Sequence, residues 1–252
     1  EAGMRKIQEA LQRGEDVYAA KRWPGRRLAG GTIWVYDATG ELRHEDLIPG
    51  MGLVNGVQLD EARALYVVFN CPKVVAGKAF LAGRGGGIGS PDGKKINPFT
   101  GTLMKTPPNG ARVTSKTQAQ IKPDQTPDRP CDLAASDWGF TVPDGWVEGA
   151  EWLYAGASPI VPNSCSCPNM RFCTDWQKRT YLPEAYRHSI AVLDTAGNLL
   201  LHVGRYGNSD SGRGPNSPVK IGGDEIAFCH VQYVTATDNY LCASDIGNER
   251  IV

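Results

Sequence analysis

Between Asn163 and Asp175 the chain reads NSCSCPNMRFCTD, which sets Cys165, Cys167, Met170 and Cys173 close together. Thiolates and a thioether are soft donors suited to Cu(I), and three thiolates completed by the imidazole of His188 or His230 suit zinc. The spacing is C-x-C followed by C-x5-C, without the paired C-x2-C knuckles of a closed zinc site. The same sulfurs serve as well for a bridge. In an oxidising compartment a loop with no core of its own gains about 2–4 kcal/mol from a disulfide. Cys165 or Cys167 with Cys131 or Cys173 are the pairings the sequence leaves open. Cys71, Cys229 and Cys242 sit among aromatic and β-branched residues and read as small packed hydrophobes. A hairpin turning near Asp238 puts Cys229 opposite the region of Gly247, so Cys229 and Cys242 are not cross-strand partners.

Two other residues stand where a strand begins: Asn55 ahead of GVQLD and His230 ahead of VQYV. The imidazole of His230 can complete a sulfur site, whereas a lone Asn such as Asn55 is more often a turn residue than a ligand. The metal candidates are therefore His230, Asn55, Cys165, Cys167 and Cys173, for zinc, calcium or copper; disulfide or packing roles take precedence for the cysteines. His188 and His202 fall within strand-like runs and read as packing or surface residues. GRGGGIG is a flexible loop, because no amphipathic helix follows it to form a phosphate cradle. No G-x-S-x-G and no H-E-x-x-H occurs.

Residues of these types need a scaffold, and the totals bound it. The chain has 252 residues with 27 basic and 27 acidic side chains. That length buries a core, and the charge balance supplies no basic face for nucleic acid. No run of about 18 apolar residues exists to span a membrane. Seven cysteines point to export, as a secreted or periplasmic protein.

Residues 1–30 read as a helix and a linker. Met4, Ile7 and Leu11 recur at helical spacing within Ala2 to Arg13, and Gly14 follows as a stop. From residue 31 the pattern changes to short strands between turn residues. Thr32 to Ile48 is a hairpin about Asp37-Ala38-Thr39-Gly40. Ser189 to Gly207 repeats it at a constant offset of 157: Ile33 with Ile190, Val35 with Val192, Asp37 with Asp194, Gly40 with Gly197, Leu42 with Leu199. A second strand–turn–strand unit recurs at Asn55 to Asn70, Arg171 to Arg187 and Val231 to Ile251. Two hairpins in alternation make four-stranded units at roughly 40–50 residues, the signature of a β-propeller. Residues 83–144 interrupt it: rich in Gly, Pro, Lys, Thr and Asp, with brief apolar runs such as GTLMKT, they form a long irregular insertion.

SDIGNERIV, Ser244 to Val252, with GVQLDEARALYVVFN and VLDTAGNLLLHVGRYG, resembles the NHL-repeat β-propellers. Asp245, Asn248, Arg250 and Ile251 match that family's D-x-x-N-x-R-I turn, while Asn70 and the surroundings of Arg187 depart from it. The likeness covers Gly31 to Val75 and Ala150 to Val252. It implies an all-β propeller of four-stranded blades, incomplete or irregular here, with a site at the central channel. Propellers of this kind host both binding modules and enzymes. The first expectation is a binding or scaffolding module taking a protein or small-molecule ligand at the propeller face. The rival is a metal-dependent lyase or lactonase. Amidating-type lyases, which resemble these propellers, hold zinc with histidines near inner-strand starts, a place only His230 matches; gluconolactonase-like propellers use an Asn such as Asn55 on a divalent cation.

Overall fold

The computed structural model describes residues 9, 12–13, 33–44, 47–48, 54–82, 100–115, 127–134, 145–158, 170–208, 211 and 226–252. Of the expected helix, Glu9 and Gln12 are helical, and the Arg13 N–H donates to the Glu9 carbonyl at 3.2 Å. The rest of that segment, like Cys165 and Cys167, lies outside the described residues.

The other described residues form β-strands, turns and two short 3-10 turns. The first sheet is the hairpin of β1 (Val35–Tyr36) and β2 (Leu42–His44). Its turn forms because Asp37 Oδ1 accepts the N–H groups of Thr39 and Glu41, each at 2.9 Å. The second sheet runs in the order β10-β7-β4-β3, from β3 (Val54–Leu59), β4 (Leu65–Phe69), β7 (Gly101–Thr106) and β10 (Trp152–Ala157). Between β4 and β7 lies a small hairpin, β5 (Val74–Val75) with β6 (Lys78–Ala79). Beyond β7, β8 (Arg112–Ser115) pairs with β9 (Gly145–Glu148), extending the β7–β10 ladder. The segment expected as an insertion thus contributes β7, whose six residues are all buried.

The third sheet is a four-stranded meander: β11 (Cys173–Thr174), β12 (Thr180–Glu184), β13 (Ser189–Leu193) and β14 (Leu199–Val203). Its last turn repeats the first sheet's, with Asp194 Oδ1 accepting from Ala196 and Asn198 N–H at 2.9 and 2.8 Å. Tyr36 pairs with Leu42 as Leu193 pairs with Leu199, so the offset of 157 is also a match of register. A short parallel pair, β15 (Arg205–Tyr206) and β16 (Ala227–Phe228), leads to the fourth sheet of β17 (Val231–Ala236), β18 (Leu241–Asp245) and β19 (Arg250–Ile251).

Alternation along each strand sends side chains to both faces of a sheet, and the sheets use this to stack. Leu65, Val67, Phe69 and Met104 of the second sheet pack with Ile33 beside the first. Tyr66, Val68 and Leu103, on its other face, meet Phe172, Leu182, Ala191 and Leu193 of the third. The third sheet's Tyr181, Ile190 and Val203 in turn meet Val231, Val234 and Ala243 of the fourth. Each large side chain sealed in these layers contributes about 1.5–3 kcal/mol. Among the described residues the stack does not close into a ring.

Candidate functional site

The strands that begin the second, third and fourth sheets lie side by side. Arg171 bridges Tyr233 in parallel sense; its N–H donates to the Gln232 carbonyl and its carbonyl accepts from Val234 N–H, both at 3.1 Å. On the other side, a Cβ on Gly56 would stand 3.2 Å from the Phe172 ring. The three sheets therefore share a direction, and each has one end closed by a tight turn and another from which longer connections leave.

At the turn end, sequence chemistry dictates the geometry. Asp60 Oδ1 caps the Ala64 N–H at 2.9 Å and Asp175 Oδ1 caps the Arg179 N–H at 2.8 Å. Tyr66 and Tyr181 hydroxyls donate to the second oxygens of the same two carboxylates, at 3.3 and 3.2 Å. In the fourth sheet Thr237 replaces the Asp: its N–H donates to the Tyr240 carbonyl at 2.8 Å and its hydroxyl accepts the Tyr240 N–H at 3.1 Å. The turns are neighbours: Lys178 Nζ lies 3.9 Å from Asp60 Oδ2, and the Cys173 thiol meets the backbone of Ala236. This end exposes three large apolar side chains, Leu59 at 64%, Trp176 at 67% and Tyr240 at 73%.

The opposite end collects ionisable groups. His230 donates its backbone N–H to Asp245 Oδ1 at 2.7 Å. Burial pushes its imidazole down to about 4; the Asp245 carboxylate opposes this and His188 adds to it. His188, in the left-handed region at φ 56°, sets Nδ1 3.0 Å from the Cys229 carbonyl and its ring 4.8 Å from that of Tyr206. Asp245 is fully buried and saturated by the N–H groups of Cys229 and His230, the Asn248 amide and Arg250. The matched turn of the NHL likeness is thus a structural knot.

Sixty-one positions earlier, Glu184 occupies the place of Asp245, ahead of an equivalent 3-10 turn, Ala185–Arg187. Its longer side chain, fully buried, meets other partners. Tyr154 donates its hydroxyl to Oε1 at 2.8 Å from the second sheet, while His202 Nε2 meets Oε2 at 2.8 Å and Arg187 Nε lies at 3.4 Å. Burial raises the Glu184 pKa against these partners. Gly156 makes the approach possible: at φ +121° a Cβ would sit 2.7 Å from both Glu184 Oε1 and the Tyr186 hydroxyl. This cluster was not foreseen from sequence; the one signal for it was Glu184-x5-Ile190 repeating Asp245-x5-Ile251.

Of the residues singled out as metal candidates, Asn55, Cys173 and His230 lie among the described residues. Asn55 is buried in β3, with its amide donating to Asn70 Oδ1. His230 stands ahead of β17, at the end away from the turns. Cys173 is next to the Asp175 turn, in the core between the third and fourth sheets, where burial pushes its thiol up to about 12. Among the described residues no group of three or more His, Cys, Asp or Glu is placed to hold a metal. Cys71, Cys173, Cys229 and Cys242 carry free thiols. Cys229 does face Gly247: a Cβ there would stand 2.4 Å from its sulfur, and Cys242 pairs with Thr235. Neither a protein-family model nor a curated protein matches this chain.

Proposed function

We propose that the chain is an NHL-type β-propeller module that binds a protein partner at the turn end of its sheets. The observation that carries this reading is the row of Leu59, Trp176 and Tyr240, one exposed side chain from each of three neighbouring sheets. Trp and Tyr supply large, stiff contact area, and such anchors dominate protein interfaces at about 2 kcal/mol or more apiece. The turns beside Leu59 and Trp176 are fixed by carboxylate caps and that of Tyr240 by the Thr237 hydroxyl, so the row is pre-organised and little ordering entropy opposes docking. Side-by-side parallel inner strands and a repeated order of sheets support the propeller architecture. A photo-reactive phenylalanine at position 176, introduced into the whole chain in its native cells, is expected to capture a partner. The adduct should vanish in a Leu59→Ala, Tyr240→Ala background. Equal capture from position 200, on the outer strand β14, or none from 176, sinks the proposal. Stoichiometric zinc, calcium or copper in the purified protein would favour the lyase or lactonase reading.

A further inference from the structure

Asp245 and Glu184 hold the same place in their sheets, and the cations beside them behave differently. Each carboxylate is fully buried at the end of a second strand and precedes a 3-10 turn. Around Asp245 the arrangement is closed: Arg250 turns its guanidinium inward, Nε to Asp245 Oδ2 and Nη2 to the Ala227 carbonyl. Around Glu184 it is open. His202 Nε2 and Arg187 Nε share one oxygen, Oε2, at 2.8 and 3.4 Å, and Arg187 Nε also donates to the Tyr186 hydroxyl at 2.9 Å. The side chains of Arg187 and His202 nonetheless stand 48% and 27% exposed.

Covalent geometry fixes what these two side chains present to a ligand. A carboxylate only accepts, so His202 Nε2 carries the ring hydrogen and Nδ1 carries the lone pair. Arg187 uses Nε for its inward contacts, which leaves both Nη groups. Among the described residues neither these nor His202 Nδ1 meet a partner. Because both groups are pinned to one oxygen, a charged donor fork and a proton acceptor stand side by side. A ligand for that pair must bring negative oxygens for the guanidinium and a hydrogen for the imidazole. A carboxylate at neutral pH brings only the first. A phosphate monoester, whose second ionisation lies near about pH 6, brings both, and Arg binds its oxygens as a planar fork.

We infer that Arg187 and His202, seated on Glu184, bind the phosphate group of a free phosphate or a small phosphomonoester. The Arg187 Nη groups donate to phosphate oxygens, and the P–OH donates to His202 Nδ1. Glu184 takes no part in contact; it holds the imidazole in the tautomer that leaves Nδ1 open. Its own charge is spread over the donors Tyr154, His202 and Arg187, so the exposed face of the cluster is the cationic one. Gly156 keeps this base rigid, since at φ +121° it admits the carboxylate where a Cβ would collide. The site is at the end of the third sheet away from Trp176, and it stands or falls separately from partner binding at the turns.

Histidine-ring NMR of the full chain tests this, because only four histidines contribute signals. Inorganic phosphate, titrated at constant ionic strength near about pH 6.5, should move the His202 signals saturably and leave those of the exposed His44 in place. Sulfate has the same tetrahedral shape but no hydrogen to share, and it should bind at least about tenfold more weakly. That comparison is made on the unaltered chain and depends on no variant folding. Arg187→Gln, with His188 and His230 signals unchanged, should weaken phosphate by a similar factor. Glycerol phosphate that binds as well as phosphate assigns the site to monoesters; its exclusion assigns it to the free ion. Equal binding of sulfate overturns the inference, as does a His202 response that never saturates or an affinity that Arg187→Gln leaves unchanged.

Discussion

His230 shows what burial does to a residue that composition alone marks as a ligand. Its depressed pKa has a thermodynamic sign. The unfolded chain takes up a proton at about pH 6.5, the folded one only near 4, so the stability tied to a neutral His230 is present above 6.5 and lost as pH falls towards 4. His230→Asn abolishes that loss. Its unfolding free energy from urea titration is expected to fall less than the wild type's between pH 7 and 4.5, by about 1–3 kcal/mol in the difference. Parallel pH dependence of the two proteins would show that the imidazole is not desolvated. At this scale the sequence was legible in part. That Cys229 faces Gly247 followed from hairpin arithmetic. The partners of Glu184 did not: Tyr154 and His202 reach it from separate strands, one of them in another sheet, and no local spacing encodes such a meeting.

Elements were read most reliably where turn chemistry is explicit. Asp37 and Asp194 announce their hairpins because a carboxylate two to four residues ahead of open N–H groups is itself the turn. The Gly197 partner of that motif carries a further constraint. It lies at φ +80°, and a Cβ would stand 2.6 Å from the Trp152 ring of the neighbouring sheet. Left-handed strain of about 1–2 kcal/mol adds to that collision. Gly197→Ala should therefore lower stability by at least about 2 kcal/mol in chemical denaturation, whereas Gly40→Ala, whose Cβ meets nothing, should show the backbone part alone. Equal losses would mean that Trp152 yields without cost. β7 was the element left unassigned. Both its neighbours are strands and both its faces are covered, so GTLMKT has no polar alternation to betray it, and its flanks are Gly- and Pro-rich.

For the whole molecule, the all-β class was legible from the repeat, because two hairpin types recurring in register demand sheets. Closure into a ring is a separate matter: among the described residues the stack stays open, and no periodicity along the chain states how its sheets would be brought round. The stack is sealed between its sheets and keeps large apolar side chains on its surface. Its cores lie between sheets, while Leu59, Trp176 and Tyr240 at the turn end, Tyr36 in the first sheet and Ile251 in the fourth are exposed.

The uneven spacing of the strands sets an order in time. The third sheet draws its four strands from one uninterrupted run, Cys173 to Val203, while the second gathers its own from Val54 to Ala157 across two long excursions. Each doubling of a loop adds only about 0.6 kcal/mol to its closure, but that cost falls before the β7–β10 ladder returns anything. The third sheet is thus the natural nucleus and the second the late step. Pulse-labelling during refolding should find Leu182 and Ala191 amides protected before those of Leu103 and Tyr154; simultaneous protection would mean that the sheets nucleate together.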